Sequence, residues 1–212
     1  MHNLKDIRKD YGLMELDENS IPRDPFQLFS IWMGDTLKAG VPDPTAMVLS
    51  TVSSEGRPSS RVVLLKQGSD KGFDFYTNYL SRKSKELNKN ANGSLLFFWK
   101  EMERQVRIEG KVEKLSPAES DEYFLSRPPE SQISAWASPQ SSIVPNRKTL
   151  KDWYEEFEDI FQKSPDKRPP HWGGFRLVPD LFEFWQGREK RMHDRIEFKK
   201  DAKGWDIHRL AP

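Results

Sequence analysis

The sequence contains no cysteine, which excludes disulfides, thiolate metal sites and cysteine nucleophiles. It contains only four histidines, and no two of them have the spacing of a zinc site. The Walker phosphate loop, the G-x-G-x-x-G dinucleotide motif and the G-x-S-x-G nucleophile turn are also missing. We therefore expect no bound metal and no protein nucleophile.

Long apolar segments and a strong net charge are also lacking. No apolar run approaches the length that spans a bilayer, and residues 1–8 lack the apolar segment of a secretory signal. The net charge of +1 gives no general attraction for nucleic acid. The expectation is a soluble cytoplasmic protein that binds neither membrane nor nucleic acid.

Large flat side chains are plentiful, with seven tryptophans and thirteen phenylalanines. Such side chains serve cores, subunit interfaces and ring-binding pockets. Asp24 followed by proline begins a predicted helix with Phe26, Phe29, Trp32 and Met33 on its buried face. A capping box at 116–119 begins a second helix. An amphipathic helix is predicted at 149–162.

Short strands separated by turn residues account for most of the remaining chain. They are predicted at 46–52, 60–66, 73–77, 94–99, 104–112, 175–178, 181–185, 193–199 and 205–210. Such a succession favours an antiparallel meander or barrel over a parallel sheet. The predicted fold is mainly β with helical insertions (α+β), in one domain spanning 1–212. It would comprise an N-terminal arm (1–22), a helical insertion (116–163) and C-terminal strands (171–212).

The segment 183–195 has the most distinctive pattern. In an extended chain Arg191, His193 and Arg195 would share one face, with Met192 and Asp194 on the other. Two guanidiniums and an imidazole suit an anionic, planar ligand. The alternative is a solvated, charged hairpin.

Two pairs of cations flank the predicted third strand. Arg82 and Lys83 lie in the first turn of a predicted helix capped by Ser81, where acidic residues are the usual ones. Together with the backbone N–H groups of that turn, they suit a phosphate. Arg61 and Lys66 have opposite strand parity, so they can reach one ligand only across a bulge or at a strand end. The alternative is a solvated basic turn.

A second anion site is predicted near residue 127. Tyr123 and Arg127 lie four residues apart on one helix face, and Ser131 could cap the helix after the Pro-Pro break. The alternative is ordinary surface hydrogen bonding with capping. Four further residues suit the edge and face of a heteroaromatic ring: Gln105, Gln140, Ser141 and Trp185. These groups favour an organic cofactor that carries the difficult chemistry.

Together these residues resemble the pyridoxine/pyridoxamine 5′-phosphate oxidase family. The diagnostic stretch is Glu183-Phe-Trp-Gln-Gly followed by Arg191-Met-His-Asp-Arg195. Further matching segments occur in the family's order at 43–47, 61–66, 75–78, 81–83, 103–106, 126–128, 131–133, 140–142, 172–175 and 209–212. The resemblance spans almost the whole chain.

The resemblance implies an antiparallel Greek-key split β-barrel of the FMN-binding type, acting as a homodimer with FMN at the subunit interface. The implied cofactor contacts are Arg61, Val62, Val63, Leu64, Leu65, Lys66, Tyr76, Thr77, Arg82, Lys83, Gln105, Gln140, Ser141, Trp185 and Arg195. The implied substrate contacts are Arg8, Tyr11, Lys66, Tyr123, Arg127, Ser131, Arg191, Met192 and His193. Of these, Arg191 and His193 are the implied catalytic residues.

The implied reaction is the FMN-dependent oxidation of pyridoxamine or pyridoxine 5′-phosphate to pyridoxal 5′-phosphate. Oxygen is the acceptor and yields hydrogen peroxide, the amine substrate also releases ammonia, and the pathway is vitamin B6 salvage. The alternative is a flavin-binding electron carrier or sensor on the same barrel. Such a protein would not need the implied substrate contacts Tyr123, Arg127, Ser131, Arg191 and His193 together.

Overall fold

The computed structural model describes Lys5, residues 10–163 and residues 167–212. Arg8, a predicted substrate contact, lies outside the described residues. The α-helices are α1 (Pro25–Lys38), α2 (Arg82–Lys89), α3 (Pro117–Leu125), α4 (Pro129–Ala137) and α5 (Arg147–Lys163). The strands are β1 (Ala46–Val52), β2 (Pro58–Leu64), β3 (Gln67–Ser69), β4 (Gly72–Asn78), β5 (Asn92–Trp99), β6 (Arg104–Lys114), β7 (Trp172–Gln186), β8 (Asp194–Lys200) and β9 (Trp205–Arg209).

These strands form one nine-stranded sheet, ordered β2-β1-β5-β6-β7-β4-β3, with β8 pairing with β7 and β9 with β8. The β3–β4, β4–β7, β7–β8 and β8–β9 pairs are antiparallel. The predicted mainly β architecture with helices between strands is therefore confirmed. No helix among residues 10–163 and 167–212 is long and apolar enough to cross a membrane.

Contacts within the chain define two compact units. Unit 1 comprises Met1–Val48, Ser94–Gly110 and Pro179–Pro212, and unit 2 comprises Leu49–Gly93 and Lys111–Val178. The divisions fall inside β1, β5, β6 and β7, so each unit contains part of these strands.

Two helices begin where the sequence places their caps. The Asp24 carboxylate accepts a hydrogen bond from the Phe26 N–H at 3.0 Å, and Pro25 occupies the first turn of α1. At α3, Ser116 Oγ accepts from the Glu119 N–H at 3.2 Å, while the Glu119 carboxylate accepts from the Ser116 N–H at 2.9 Å. Both caps satisfy N–H groups that a helix start leaves unpaired.

Each unit has an aromatic core. In unit 1, Trp32 of α1 meets Phe184 edge to face, with ring centroids 5.2 Å apart, as expected for residues on the buried face of this helix. In unit 2, Phe75 and Phe175 stack at 5.7 Å across the β4–β7 pair. These cores fix the strands that carry the candidate site.

One strand prediction is wrong because a proline does not interrupt the sheet. The predicted strands 175–178 and 181–185 are one strand, β7, which continues through Pro179. β7 pairs with β4 through residues 172–177 and with β8 through residues 181–186. Pro179 lies between these two ladders, where neither needs the N–H that proline lacks.

A second prediction is wrong at the start of β8. Arg191 lies in the 3₁₀ turn Glu189–Arg191, and β8 begins only at Asp194. Lys190 and Arg191 have φ values of +53° and +61°, a left-handed backbone that ends an extended chain. Arg191, His193 and Arg195 therefore do not alternate along one strand.

Candidate functional site

Unit 2 contains a cleft of about 920 Å³ that brings together the two anion sites predicted from the sequence. It is formed by β2, β4, the start of α2 and the α3–α4 segment. The predicted contacts that line it are Arg61, Val62, Val63, Leu64, Lys66, Tyr76, Thr77, Arg82, Lys83, Tyr123, Arg127, Ser131, Gln140 and Ser141. Leu65, a predicted cofactor contact, is not among the lining residues.

Arg61 and Lys66 reach the same cleft because β2 ends between them. β2 ends at Leu64, so Lys66 lies just beyond the strand. The N–H of Lys66 donates to the Asp74 carbonyl at 2.9 Å. This is the strand-end arrangement that their opposite parity required. Arg61 Nη1 donates to the Leu49 carbonyl at 3.0 Å and to Thr51 Oγ1 at 2.7 Å. Its guanidinium is therefore held in one orientation.

Lys83 is a buried cation at the start of α2. Its Nζ donates to Thr77 Oγ1 and to Gln140 Oε1, each at 3.0 Å, and to Ser81 Oγ at 3.2 Å. Burial, with a smaller effect of the Arg61 charge, lowers the pKa of Lys83 to about 8. The amine therefore still carries its proton at neutral pH.

The predicted capping role of Ser81 is wrong in one respect. Ser81 occupies the N-cap position of α2, but its side chain makes no capping hydrogen bond. The hydroxyl instead pairs with Ser84 Oγ at 3.1 Å and accepts from Lys83. The buried ammonium group therefore takes the oxygen that would otherwise cap the helix.

The second anion site is organised by stacked aromatic rings. Tyr76 and Tyr123 stack with centroids 3.9 Å apart, and Trp172 lies parallel to Tyr76 at 5.6 Å. The Arg127 guanidinium carbon sits 4.5 Å from the centroid of the Trp172 ring, a cation–π contact. Burial raises the pKa of Tyr76 to about 12, with a further contribution from the negative charge of Asp74. Tyr76 is therefore a neutral phenol at any physiological pH.

Arg127 has an unsatisfied hydrogen-bonding group. Its Nη1 is buried and has no hydrogen-bond partner within the described part of the chain. Burial also lowers the pKa of the guanidinium. An unpaired buried N–H costs free energy, and an anionic ligand in the cleft would remove that cost.

Ser131 lines the cleft, but not as a helix cap. α4 begins at Pro129 with Pro128 as its N-cap, so Ser131 lies inside the first turn, and its N–H donates to the Pro128 carbonyl at 2.9 Å. The predicted capping role is wrong because the Pro-Pro pair starts α4 instead of only ending α3. The hydroxyl is therefore not occupied by capping.

Several lining residues were not predicted from the sequence: Ser59, Ser60, Asn78, Pro128, Ser134, Ala135, Ser138 and Trp172. The contribution of Trp172 depends on the glycines that follow it. A Cβ on Gly174 would lie 2.8 Å from Tyr76 Cε1 and 2.4 Å from Leu115 Cδ1, so only glycine lets Tyr76 pack this close to β7. In the sequence, the Trp172-Gly-Gly motif was the feature that could have indicated a role for Trp172 in the site.

The remaining predicted contacts lie in unit 1 and are not among the residues that line this cleft: Tyr11, Gln105, Trp185, Arg191, Met192, His193 and Arg195. Three of them form an aromatic cluster. The Tyr11 ring meets Trp185 edge-on at 5.7 Å and His193 at 5.8 Å, and Trp185 and His193 are 4.7 Å apart. A Cβ on Gly187 would lie 2.7 Å from Tyr11 Cβ, so this glycine permits the close approach.

His193 is fixed by a backbone hydrogen bond. Its Nδ1 lies 3.1 Å from the Arg188 N–H, which donates to it. A neutral imidazole that accepts at Nδ1 carries its proton on Nε2. Next to it, Arg191 and Met192 are exposed, and Gln105 is half-buried on β6.

Arg195 is held by a buried carboxylate. Glu183 is 4% exposed, accepts from Arg195 Nε at 2.9 Å and also accepts from Arg107. Burial raises the pKa of Glu183, but the hydrogen bonds from Arg195 and Arg107 outweigh it and lower the pKa. Arg195 Nη1 also donates to the Ala211 carbonyl at 2.7 Å, which anchors the C-terminal residues.

Two family models match this chain in succession. The model described as "Pyridoxamine 5′-phosphate oxidase" matches residues 33–161. The model described as "Pyridoxine 5′-phosphate oxidase C-terminal dimerisation region" matches residues 172–212. Proteins named pyridoxine/pyridoxamine 5′-phosphate oxidase from Polynucleobacter asymbioticus and Burkholderia mallei are each 49% identical to it, over the full length of both chains.

Solved structures show the same fold. PhzG from Burkholderia lata 383, in complex with tetrahydrophenazine-1-carboxylic acid, is 30% identical with a TM-score of 0.89, covering 95% of this chain and 100% of that one. A pyridoxamine 5′-phosphate oxidase-related, FMN-binding protein from Nostoc punctiforme has a TM-score of 0.71 at 14% identity, covering 91% of this chain and 100% of that one. The second likeness shows the fold alone.

Proposed function

The chain belongs to the pyridoxamine 5′-phosphate oxidase family, and we propose that it oxidises pyridoxamine and pyridoxine 5′-phosphates to pyridoxal 5′-phosphate with FMN as cofactor. Its fold is the antiparallel split β-barrel found in FMN-binding relatives. The observation that carries the proposal concerns Arg127, whose buried Nη1 has no hydrogen-bond partner among the described residues. Arg127 lines a cleft that also contains the separate cationic group Arg61, Arg82 and Lys83. The phosphate of the cofactor would bind the separate cationic group, and the phosphate of the substrate would bind Arg127.

The first cationic group fits the phosphate of FMN. Arg61, Arg82 and Lys83 line one part of the cleft, and guanidiniums bind phosphate with two parallel N–H groups. Thr77 and Gln140, both in contact with Lys83, offer a hydroxyl and an amide to the polar groups of the flavin. When bound, FMN would accept a hydride from the substrate and pass the electrons to oxygen, which yields hydrogen peroxide.

The second group fits the phosphate of the substrate. Arg127, Lys66, Tyr123 and Ser131 line the same cleft, and Arg127 Nη1 has no hydrogen-bond partner within the described part of the chain. Tyr123 also stacks with Tyr76 and Trp172, and the Trp172 ring makes a cation–π contact with Arg127. These residues would orient the ester without taking part in the redox step.

Arg191 and His193 are proposed to act on the reacting substituent of the substrate ring. The Arg188 N–H occupies Nδ1 of His193, so a neutral His193 would offer a proton from Nε2 instead of accepting one at Nδ1. The exposed guanidinium of Arg191 would bind and polarise the substituent. Both residues would position the substrate and assist proton movement.

A homodimer is supported by the match of residues 172–212 to a dimerisation region. We propose that FMN lies at the interface between the two copies. Gln105, Trp185 and Arg195 would then be cofactor contacts supplied at that interface. Light scattering, which measures the mass of the holoprotein in solution, tests whether the protein is a dimer.

PhzG supplies a second candidate function, because it is 30% identical and was solved with a carboxylic acid. On this alternative the chain would oxidise a substrate without phosphate. An electron carrier on the same barrel would oxidise neither kind of substrate. Arg127 favours a substrate with an anionic group over unphosphorylated pyridoxamine, because a hydrogen bond to a charged group is worth about 1.5–3 kcal/mol. A phosphate and a carboxylate can both accept that hydrogen bond, so the two candidates are separated by experiment.

The discriminating experiment compares two substrates that differ only in the phosphate, together with the carboxylic acid of the second candidate. Peroxide and aldehyde formation are measured with pyridoxamine 5′-phosphate, unphosphorylated pyridoxamine and tetrahydrophenazine-1-carboxylic acid. We expect kcat/KM for the phosphate ester to exceed that for pyridoxamine by about 100-fold or more. Preference for the carboxylic acid supports the second candidate, and flavin binding without any peroxide supports the carrier.

A further inference from the structure

A buried carboxylate lies behind the first cationic group of the cleft. Glu86, on α2, is 6% exposed. Its Oε1 accepts from Arg82 Nε at 2.8 Å, and its Oε2 accepts from Thr51 Oγ1 at 2.5 Å and Ser59 Oγ at 2.7 Å. Arg61 Nη2 is 3.5 Å from the same oxygen. One acidic side chain therefore touches both arginines of the proposed flavin phosphate site.

Glu86 remains charged in the folded protein. Burial raises its pKa, but hydrogen bonds from Thr51, Ser59 and Arg82 outweigh burial and lower the pKa to about 2. A carboxylate close to an anion site opposes anion binding by simple Coulomb repulsion. Glu86 can therefore strengthen the binding of an anion only if it also makes a favourable contribution that is larger than this repulsion.

That contribution is the orientation of the two guanidiniums. Arg82 donates to Glu86 through Nε, which fixes the plane of a guanidinium that also lines the cleft. Arg61 is fixed on several sides, by the Leu49 carbonyl, Thr51, Ser59 and Glu86. Ordering long side chains costs conformational entropy, and the network meets that cost before a ligand arrives.

We propose that Glu86 is a positioning residue for the flavin phosphate, acting through Arg61 and Arg82 and making no contact with the phosphate itself. This inference rests on the proposed function, because it takes FMN as the ligand. It predicts that neutralising Glu86 weakens FMN binding, whereas electrostatic repulsion alone predicts the opposite sign.

The test measures the dissociation constant of FMN by quenching of flavin fluorescence as apoprotein is titrated. Glu86→Gln is compared with wild type and with Asp152→Asn. The control removes the carboxylate of Lys148–Asp152, another i,i+4 ion pair, which is exposed on α5. We expect Glu86→Gln to raise the Kd about tenfold and the control to leave it unchanged. An unchanged or lower Kd for Glu86→Gln overturns the inference.

A double-mutant cycle with Arg82→Ala tests the route through arginine. If Glu86 acts by orienting Arg82, the Glu86→Gln effect shrinks at least severalfold in the Arg82→Ala background. An equal effect in both backgrounds contradicts that route. Thermal unfolding of each apoprotein shows whether a raised Kd for FMN reflects loss of structure.

Glu86→Asp provides a second variant should Glu86→Gln fail to fold. It keeps the charge but shortens the side chain by one methylene, so it cannot span both arginines. We expect weaker FMN binding here too, and wild-type affinity of Glu86→Asp would contradict the proposed orientation of the two arginines by Glu86. If wild type itself binds no FMN, the proposed function fails as well. If wild type binds and every Glu86 variant binds equally, only this inference fails.

Discussion

The backbone N–H of Arg188 donates to Nδ1 of His193 at 3.1 Å. This hydrogen bond assigns the proton of the neutral ring to Nε2 and fixes the ring against Trp185. The tautomer is therefore determined by a peptide group in the turn that precedes β8.

His193→Asn tests the Nε2 proton. The asparagine oxygen can take the place of Nδ1 and accept from the Arg188 N–H, but nothing replaces Nε2. We expect kcat/KM for pyridoxamine 5′-phosphate to fall about 100-fold, within the range for loss of a proton-transfer group. The flavin absorbance of the variant should equal that of wild type, and near-normal peroxide formation would exclude this role.

Arg191→Ala is expected to lower turnover and leave FMN bound, since Arg191 is proposed to contact only the substrate. Loss of a charged hydrogen bond predicts a fall in kcat/KM of about 10- to 100-fold. Lys190→Ala is the matched control, because Lys190 is a neighbouring exposed cation with the same left-handed backbone. Equal effects of the two substitutions on steady-state kinetics would refute the assignment.

Arg127→Met should raise KM for the phosphate ester, because it removes the unpaired buried Nη1 and keeps an unbranched side chain against Trp172. The expected rise is about 30-fold or more. The apoprotein should lose little thermal stability, because the removed N–H has no partner in the described structure. Kinetics with unphosphorylated pyridoxamine supply the control, since that KM should not change.

Lys66→Ala should chiefly raise KM for the phosphate ester, about 10-fold, because Lys66 is exposed and contributes charge more than orientation. Raising the salt concentration should weaken substrate binding in wild type and have less effect in this variant. A fall in kcat at unchanged KM, in the same steady-state assay, would contradict a phosphate-binding role.

FMN affinity should depend on the charge of Lys83. Its pKa in the folded protein is about 8, so the amine is charged below pH 8 and loses its proton above it. Because a phosphate favours the charged form, the Kd of FMN should rise between pH 7 and pH 9. Fluorescence titrations at pH 7, 8 and 9 measure this, and Lys83→Met should bind more weakly and remove this contribution to the pH dependence.

The same depressed pKa has the opposite consequence for the stability of the apoprotein. The unfolded lysine has a pKa near 10.5, so between pH 8 and 10.5 the unfolded chain binds more protons than the folded one. Folding stability from this group therefore rises with pH across that window. Urea unfolding of the apoprotein at pH 8 and pH 10, compared with Lys83→Met, tests the sign.

The sequence correctly predicted structural features that depend only on neighbouring residues. The Asp24 cap and the capping box at Ser116 depend only on residues within one helical turn, and both are present. The basic first turn of α2 was also located correctly, and Arg82 and Lys83 line the cleft.

The predictions were wrong where residues distant in the sequence determine the backbone conformation or the contacts of a side chain. Pro179 is accommodated because β4 and β8 pair with different parts of β7. Arg191 adopts a left-handed φ without being glycine, which no local pattern indicates. Trp172 was not assigned to the site, since its contact with Arg127 joins residues 45 positions apart in the sequence. The roles of the individual site residues, the single-domain description and the cytoplasmic location stay predictions.

The most direct test of the whole account is the spectrum and oxidase activity of the purified protein. The account predicts a yellow protein that binds FMN and forms hydrogen peroxide and pyridoxal 5′-phosphate from pyridoxamine 5′-phosphate in air. A colourless protein that does not quench the fluorescence of added FMN, and forms no aldehyde in its presence, would contradict it.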